Sequence, residues 1–237
     1  LRLVFNNDHI FNHDNFELNN LKVSKLYSMT GEKRMSYLTK CIKFINENNI
    51  KGDFVECGVW KGGNLILMQQ LNDHFKLNKK IYGYDTFEGM TQPNEFDIDK
   101  DNKKASTLFV SEKKIENLNS PNVWCYSGLD TVKNNFEKNT LNNDLILIKG
   151  DVCETLKVDK NIPESISLLR LDTDFYDSTK AELEILFPLV VKNGLIVIDD
   201  YGHWQGQRKA VDEFLKKTNI SPFMFEVDYS CRIFQKN

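Results

Sequence analysis

The chain has 237 residues, a net charge of −3 and 41% hydrophobic residues, a composition ordinary for a soluble globular protein. This length suffices for one large α/β domain with a sizeable core. The net charge is slightly negative, so the composition does not indicate a basic surface for binding nucleic acid. No apolar stretch approaches the length needed to span a bilayer.

The five cysteines are scattered along the chain and odd in number. None forms a C-x-x-C pair or a close Cys/His cluster with zinc-site spacing. A reduced, cytoplasmic setting is the simplest inference from that pattern. The first residues are too short for a signal peptide, and the chain begins with Leu1 in place of Met, which is compatible with a chain trimmed or cut from a longer protein.

The first predicted element is an arm over residues 1–28, rich in Asn, Asp and His, which we expect to be irregular or partly helical. Thr30 is a candidate cap for a helix that runs to about Asn48, where apolar residues recur at helical spacing. We therefore predict an N-terminal arm or lid over residues 1–30, followed by one main domain over 31–237.

A predicted strand over 54–59 leads through a glycine-rich turn into a helix over 63–75. The glycines of this turn do not have the G-x-G-x-x-G spacing of dinucleotide sites, although they let a ligand approach the backbone. Glu56 precedes the first glycine, where a carboxylate would repel a pyrophosphate but suits a cationic ligand. Asp85 ends the next strand and is placed to bond ribose hydroxyls. This combination favours S-adenosylmethionine over NAD or ATP.

The middle of the chain is less regular. Residues 88–106 form a long polar loop of the kind that often acts as a lid. A short strand is predicted at 123–126, a helix at 129–136 and a strand at 145–148.

Two acidic pairs follow two apolar runs, 166–171 and 195–198, with a predicted helix over 178–191 between the runs. The acids are Asp172 and Asp174 after the first run, and Asp199 and Asp200 after the second. Such runs indicate neighbouring buried strands of a parallel sheet, whose ligand crevice lies beyond the strands' carboxyl ends. Four carboxylates converging there would repel one another, and a hard divalent cation with oxygen ligands would relieve that repulsion.

The spacing of the acids suggests separate roles. Asp172 and Asp174 share a face in an extended chain, so one can bind the metal while the other takes a proton. Asp199 and Asp200 reach one ion only if the chain turns, and Gly202 is well placed to permit that turn.

Other residues near this turn have more than one interpretation. His203 is a candidate base, but its position after the turn suits a substrate wall or surface residue better. Trp60 and Trp204 could stack on a substrate ring, and packing explains them at least as well. A helix over 207–217 and a hairpin follow, so the chain order predicts an α/β fold, a mostly parallel sheet flanked by helices with an antiparallel C-terminal hairpin.

Four segments resemble the macrocin O-methyltransferase (TylF-type) family, whose members methylate sugar hydroxyls on macrolide and aminocoumarin antibiotics. The segments are ECGVWKGGNLILM (56–68), YDTFEGM (84–90), LRLDTDFYDSTK (169–180) and IVIDDYGHWQGQRKAV (196–211). The resemblance runs from about Met29 to about Leu215. It implies a class I methyltransferase fold of Rossmann-like type, S-adenosylmethionine and a Mg²⁺ ion.

The resemblance also implies site residues. The cofactor-binding residues would be Met29, Thr30, Glu56, Gly58, Val59, Trp60, Asp85, Thr86, Phe87, Gly89, Ser127, Gly150, Asp151 and Asp172. The metal ligands would be Asp172, Asp199 and Asp200, with Asp174 as the general base. Relatives often carry an aromatic residue where Asp151 stands, so Asp151 is expected to bond the adenine amine in place of packing on the ring.

Three interpretations of function follow. The leading one is Mg²⁺-dependent methylation of a hydroxyl on a sugar or glycosylated small molecule, with capsule, lipopolysaccharide and other glycan sugars as acceptors that fit equally well. A catechol-type O-methyltransferase is the second, and a non-catalytic cofactor-binding subunit is the third. The N-terminal arm contains aromatic residues and is compatible with a homo-oligomer. Neither the arm nor the long loop contains a sequence motif that identifies the acceptor.

Overall fold

The computed structural model describes residues 13–112 and 124–237. Seven strands lie within them: β1 (Asp53–Cys57), β2 (Ile81–Asp85), β3 (Leu145–Lys149), β4 (Ile166–Leu171), β5 (Val190–Ile198), β6 (Phe225–Glu226) and β7 (Arg232–Gln235). They form one sheet in the order β3-β2-β1-β4-β5-β7-β6. Strands β1 to β5 run parallel, whereas β7 pairs antiparallel with β5 and β6. The predicted sheet with its antiparallel C-terminal hairpin is confirmed.

Helices connect these strands. The described residues contain α1 (Asn15–Lys25), α2 (Glu32–Glu47), α3 (Gly63–Phe75), α4 (Ala105–Glu112), α5 (Leu129–Asn139), α6 (Val152–Thr155), α7 (Tyr176–Leu186) and α8 (Gln205–Thr218). Two 3-10 turns, Asp159–Asn161 and Phe187–Leu189, complete the set. No helix of the described chain is both long and apolar enough to cross a membrane.

Apolar layers cover both faces of the sheet. Phe54 and Val55, adjacent on β1, are fully buried in two different core clusters, because successive strand residues point to opposite faces. The first cluster includes Leu65 of α3, and the second includes Leu183 of α7. Both faces of the central strands β1 and β4 are therefore buried, which explains why their sequences are mostly apolar.

The strand order reverses beside β1, since β2 and β3 extend the sheet on one side and β4 and β5 on the other. In open α/β sheets the ligand crevice lies at such a reversal, outside the carboxyl ends of the strands. The predicted adjacency of the two acid-bearing strands is confirmed, because β4 pairs with β5 in parallel and Leu171 lies opposite Ile198. The backbone amide of Asp172 also donates to the carbonyl of Cys57, 2.8 Å away, so all three strand ends converge.

The predicted cap at Thr30 is wrong. Helix α2 begins at Glu32, and its N-cap is Gly31, which makes no side-chain capping bond. The Thr30 hydroxyl is engaged elsewhere, because it accepts hydrogen bonds from Asn64 and Arg170, each at 3.0 Å. A tertiary contact therefore outcompetes a local one at this residue.

Two element boundaries also differ from the prediction. Residues 124–126 form a turn and not a strand, and Cys125 has a left-handed φ of 55° that a strand does not tolerate; position 123 lies outside the described residues. The helix predicted over 178–191 ends at Leu186, where a 3-10 turn containing Pro188 follows and β5 begins at Val190. Proline explains the early end because it cannot donate to a helical hydrogen bond.

The part of the predicted arm that the structure describes is helical, and Leu21 of α1 is buried in the first core cluster. Asp14 and Glu17 form a capping box at its start. The long polar loop is anchored to the domain, since Asp97 accepts from the backbone amide of Tyr176 at 2.8 Å and the amide of Gln205 donates to the carbonyl of Ile98 at 2.8 Å.

Candidate active site

A cavity of about 430 Å³ opens at the carboxyl ends of β1, β2, β4 and β5. Its volume lies in the range of small-molecule sites. Fourteen of the predicted site residues line it: Met29, Thr30, Gly58, Val59, Trp60, Asp85, Thr86, Gly89, Gly150, Asp151, Asp172, Asp174, Asp199 and Asp200. Glu56, Phe87 and Ser127 are buried and are not among the lining residues. The structure thus brings the predicted residues to one place.

The turn after β1 is held by a carboxylate from β2. Asp85 accepts from the backbone amides of Val59 at 2.7 Å and Trp60 at 3.1 Å, while its other oxygen accepts from the amide of Phe87 at 2.7 Å. Gly58 has a φ of 85°, and a Cβ there would lie 2.1 Å from the carbonyl oxygen of Asp172. Only glycine allows the first turn to approach the acidic turn so closely.

Glu56 is buried below this turn. One of its oxygens accepts from Asn64 at 3.0 Å and from Arg170 at 2.7 Å, and burial raises the pKa of Glu56 to about 7 although Arg170 opposes the rise. Its other oxygen has no hydrogen-bond partner among the described residues, nor do Asn64 Oδ1 and Ser127 Oγ. Unpaired buried polar atoms cost stability, so this part of the site suits a polar ligand that carries donors, such as an ammonium and hydroxyls.

Arg170, inside the apolar run of β4, connects the two halves of the site. Its side chain is 1% exposed and reaches Thr30 and Glu56 on one side. On the other side it lies 2.7 Å from Asp172 and 2.6 Å from Asp199. We did not single out Arg170 from the sequence, yet a charged residue in a buried strand is a signal, because a buried guanidinium requires partners.

Three carboxylates form a compact acidic cluster: Asp172, Asp174 and Asp200 each offer an oxygen, and these oxygens lie within 4.8 Å of one another. Burial raises the pKa of Asp172 and of Asp174 well above the usual range, and neighbouring carboxylates raise both further. A bound divalent cation would displace these protons and offset the repulsion between the carboxylates, because carboxylate oxygens are the ligands that hard cations prefer and they bind only when deprotonated. The residues present therefore fit a cation such as Mg²⁺.

Asp199 is placed differently from the predicted ligand set. Its two oxygens pair with two guanidinium groups, Arg170 at 2.6 Å and Arg34 at 2.5 Å, and it is not among the three grouped carboxylates. Burial alone would raise the pKa of Asp199, but these two cations hold it below its usual value. The geometry thus groups Asp174 with Asp172 and Asp200, where the sequence suggested Asp199.

Arg34 was also missed from the sequence. Besides Asp199, it contacts Asp228 of the C-terminal hairpin at 2.7 Å and Asp200 at 3.6 Å. It therefore ties the start of α2 and the hairpin turn to the end of β5. A single arginine in a polar helix carries no signal of this role, because its three acidic partners are 165 or more positions away in the chain.

The backbone turns at both acidic pairs. Asp174 has a left-handed φ of 67°, and the carbonyl of Asp200 accepts from the amides of His203 and Trp204, each at 2.9 Å. Gly202 allows the predicted turn because a Cβ there would lie 1.9 Å from the carbonyl oxygen of Tyr229. The hairpin turn thus packs directly against the acidic site.

Asp151, predicted on the adenine side, begins the short helix α6. One of its oxygens accepts from the backbone amide of Cys153 at 2.9 Å, so this oxygen caps the helix. The preceding Gly150 has a φ of 138°, which brings both residues into the cavity wall.

Aromatic residues also line the cavity. Trp204 packs among Phe175 and Trp124 with ring centroids 5.7 and 6.1 Å away, and it is 5% exposed, so packing is its main role. His203 lies nearer the mouth, where its Nδ1 is 3.2 Å from the Tyr229 hydroxyl. Trp124, His203 and Trp204 line the same cavity as the acidic cluster and offer apolar surface to a ring-shaped acceptor.

The chain is similar to known proteins over most of its length. The family described as Macrocin-O-methyltransferase (TylF) matches residues 11–236. Demethyldecarbamoylnovobiocin O-methyltransferase of Streptomyces niveus is 30% identical over 212 residues, which are 85% of this chain and 72% of the relative. A tetracenomycin-C 4'-O-methyltransferase of Streptomyces olivaceus, acting on a 2,3-dimethoxy-α-L-rhamnosyl derivative, is 30% identical over 208 residues, 86% and 74% of the two chains.

A solved structure is similar over most of its length. The O-methyltransferase NovP has a TM-score of 0.76 at 26% identity, covering 89% of this chain and 82% of NovP. The strand order and the antiparallel hairpin are accordingly those of a class I methyltransferase fold, as the resemblance implied. On the family match and the 30% identical relatives, this chain belongs to the macrocin O-methyltransferase (TylF) family.

Proposed function

We propose that this chain transfers the methyl group of S-adenosylmethionine to a hydroxyl of a sugar or glycosylated small molecule, with the help of a divalent cation. The observation that carries the proposal is the compact group of Asp172, Asp174 and Asp200 on the wall of the same cavity as the Glu56 turn. A cluster of carboxylates suited to a cation and a turn suited to a polar nucleoside thus lie at one cavity.

The donor would lie along the ends of β1 and β2. Glu56 and Asn64 offer unpaired oxygens for the ammonium of its methionine part. Asp85, which already organises the turn, lies where a ribose would approach, and Gly150 with Asp151 would flank the adenine. Met29, 56% exposed beside the cavity, would cover the bound donor.

The cation would be held by Asp172 and Asp200, with Asp199 as third ligand once one of its oxygens exchanges a guanidinium partner. When bound, a divalent cation supplies Lewis acidity that lowers the pKa of a nearby hydroxyl, and each pKa unit is worth about 1.36 kcal/mol. Asp174, next to Asp172 and Asp200, would then take the proton of the acceptor hydroxyl. A positioned general base contributes typically about 10²–10⁴-fold to the rate.

The acceptor class follows from the relatives, which are O-methyltransferases of glycosylated antibiotics. The apolar surface of Trp124 and Trp204, in the same cavity as the acidic cluster, suits a sugar ring, whose faces are apolar and whose edges carry hydroxyls. We propose the same class for this chain, with the individual sugar to be identified by assay.

The test is a methyl-transfer screen with labelled S-adenosylmethionine against nucleotide sugars, glycans and glycosylated small molecules, with Mg²⁺ or with EDTA. We expect transfer to a sugar hydroxyl that EDTA abolishes. If calorimetry detects no binding of S-adenosylhomocysteine to the wild-type chain, the methyltransferase proposal is wrong. Binding without any transfer would favour the non-catalytic subunit, and transfer only to catechols would favour the catechol-type enzyme.

The roles of Asp174 and Asp199 are separated by a second measurement. We expect Asp174→Asn to lower kcat by about 10²–10⁴-fold while it keeps Mn²⁺ affinity near that of the wild type. Asp199→Asn should weaken Mn²⁺ binding, and the exposed Asp101→Asn should change neither. Full turnover in Asp174→Asn would exclude it as the base, and loss of Mn²⁺ affinity there would make it a ligand.

A further inference from the structure

Glu182 is a buried acid that none of the roles above uses. It lies on α7, is 0% exposed and is not among the residues that line the cavity. Its Oε1 accepts from the Thr173 hydroxyl at 2.8 Å, whereas its Oε2 has no hydrogen-bond partner among the described residues. Burial raises the pKa of Glu182 to about 8, and hydrogen bonds from Thr173 and Cys57 oppose the rise.

The two partners of Glu182 belong to the two turns that build the site. Cys57 is the last residue of β1 and precedes Gly58, while Thr173 stands between Asp172 and Asp174. The two turns already touch, because the amide of Asp172 donates to the carbonyl of Cys57. Glu182 therefore contacts both turns, which follow the carboxyl ends of β1 and β4.

Thr173 is the residue through which this contact reaches the acids. Its carbonyl accepts from the amide of Phe175 at 2.7 Å, and its hydroxyl is fixed by Glu182. Asp174 follows with a left-handed φ of 67°. Non-glycine residues hold that conformation only where the surroundings impose it, so a fixed neighbour is required.

Packing alone does not explain an acid at this position. The neighbouring Leu183 and Leu186 on the same helix are fully buried in an apolar cluster. A carboxyl group with one unpaired oxygen is costly there, and an apolar side chain of similar volume would be at least as stable. The acid has a reason to be there if it orients the acidic turn.

We propose that Glu182 is a positioning residue, whose buried carboxyl group fixes Thr173 and thereby orients Asp172 for cation binding and Asp174 for its role as the base. The inference rests on the proposed function, since it concerns the same acidic cluster. A purely structural role would make a variant without the acid less stable. A positioning role predicts instead that removing the acid weakens ligand binding and leaves the fold as stable as before.

The experiment measures Mn²⁺ and S-adenosylhomocysteine affinity by calorimetry, together with thermal melting, on the full chain. Glu182→Met should weaken Mn²⁺ binding by about 10-fold, a usual loss for removal of a partner that orients a ligand. Glu182→Gln keeps an oxygen for Thr173 and should stay within about threefold of the wild type. Glu184→Gln, on the same helix but exposed and paired with Lys217, is the matched control and should bind as the wild type.

A double-mutant cycle identifies the route. Thr173→Val removes the hydroxyl at nearly constant volume and should weaken Mn²⁺ binding as Glu182→Met does, whereas Thr173→Ser should restore it. The double variant should be no weaker than either single one, because coupled residues are not additive. Additive losses would show that Glu182 does not act through Thr173 and would overturn the proposal.

Wild-type Mn²⁺ affinity in a folded Glu182→Met variant would also overturn it. If that variant does not fold, the Thr173→Val variant becomes the test, and unchanged Mn²⁺ affinity in Thr173→Val would overturn the proposal. A wild-type chain that binds neither Mn²⁺ nor S-adenosylhomocysteine would contradict the proposed function itself, whereas losses confined to the variants concern Glu182.

Discussion

Arg170 is the residue on which most of the site's buried charge depends. It pairs with Glu56, Asp172 and Asp199 at 2.6 to 2.7 Å, and all four side chains are largely or wholly buried. Removing one partner of a buried ion pair is far more damaging than replacing the whole pair, because a charge is left without compensation. The guanidinium therefore stabilises the fold as much as it organises the site.

We expect Arg170→Met to lower the free energy of unfolding by about 3 to 5 kcal/mol, as found when a buried ion pair loses one partner. Arg170→Lys keeps the charge but not the planar fork, so it should lose part of that stability. Urea denaturation measures both. Arg208→Met is the control: Arg208 is exposed, pairs with Asp212 along its own helix and lies over the Tyr201 ring, and its loss should cost at most about 0.5 kcal/mol. A similarly small loss for Arg170→Met would contradict its bridging role.

Glu182 should also give the protein a pH-dependent stability. Its pKa is raised by burial from 4.5 to about 8 in the folded chain, so the folded state holds the proton more tightly than the unfolded state. The contribution of protonated Glu182 to the free energy of unfolding is therefore fully present below pH 4.5 and is lost as the pH rises through about 8.

Glu182→Gln stays neutral at every pH and should escape that loss. We therefore expect urea denaturation to show that Glu182→Gln becomes more stable relative to the wild type as the pH rises from 5.5 to 8.5. The Glu184→Gln control should show no such trend, since Glu184 is exposed. A constant difference between Glu182→Gln and the wild type would show that the acid does not titrate in this window.

Among the helices, α1 is stabilised at its N-terminus by a capping box. The Asp14 side chain accepts from the Glu17 amide at 2.8 Å, and Glu17 accepts from the Asp14 amide at 3.2 Å. We expect Asp14→Ala to cost about 1 kcal/mol of stability by urea denaturation. Asp14→Asn retains a capping oxygen and should lose little, and an equal loss for both variants would assign the effect to charge.

The elements also show what can be read from the sequence. The sequence predicts the strands 81–85, 145–149 and 166–171 almost to the residue, because a glycine or an acidic residue stands at or directly after the end of each apolar run. It also predicts the helix 63–75, which begins directly after the glycine-rich turn. The strand predicted near residue 125 was wrong, since Cys125 adopts a left-handed conformation that composition does not encode. Local pattern specifies an element well only where the tertiary contacts agree with it.

At the scale of the whole molecule, bound ligands should raise stability through linkage. A ligand that binds only the folded state adds about 2.7 kcal/mol to the free energy of unfolding when its concentration is 100 times its Kd. We expect S-adenosylhomocysteine and Mg²⁺ each to raise Tm, with about 2 to 4 °C for each kcal/mol in a chain of this size. Differential scanning fluorimetry with EDTA should reverse the Mg²⁺ shift only, and Asp200→Asn should lack that shift.

An unchanged Tm for the wild type with saturating Mg²⁺ would contradict a cation site in the folded chain. A Mg²⁺ shift that persists in Asp200→Asn would place the cation away from the cluster of Asp172, Asp174 and Asp200.

The amino-acid sequence is enough to predict the α/β class, the adjacency of the two acid-bearing strands and the acids at their carboxyl ends. These follow from local pattern, because an apolar run ended by an acid specifies both a buried strand and the side chain at its carboxyl end. The contact partners of these acids depend on tertiary packing: Arg34 and Arg170 pair with Asp199, Glu182 accepts from Thr173, and Asp174 lies beside Asp172 and Asp200. Which carboxylate meets a guanidinium depends on distances between residues far apart in the chain, and no local pattern records those distances.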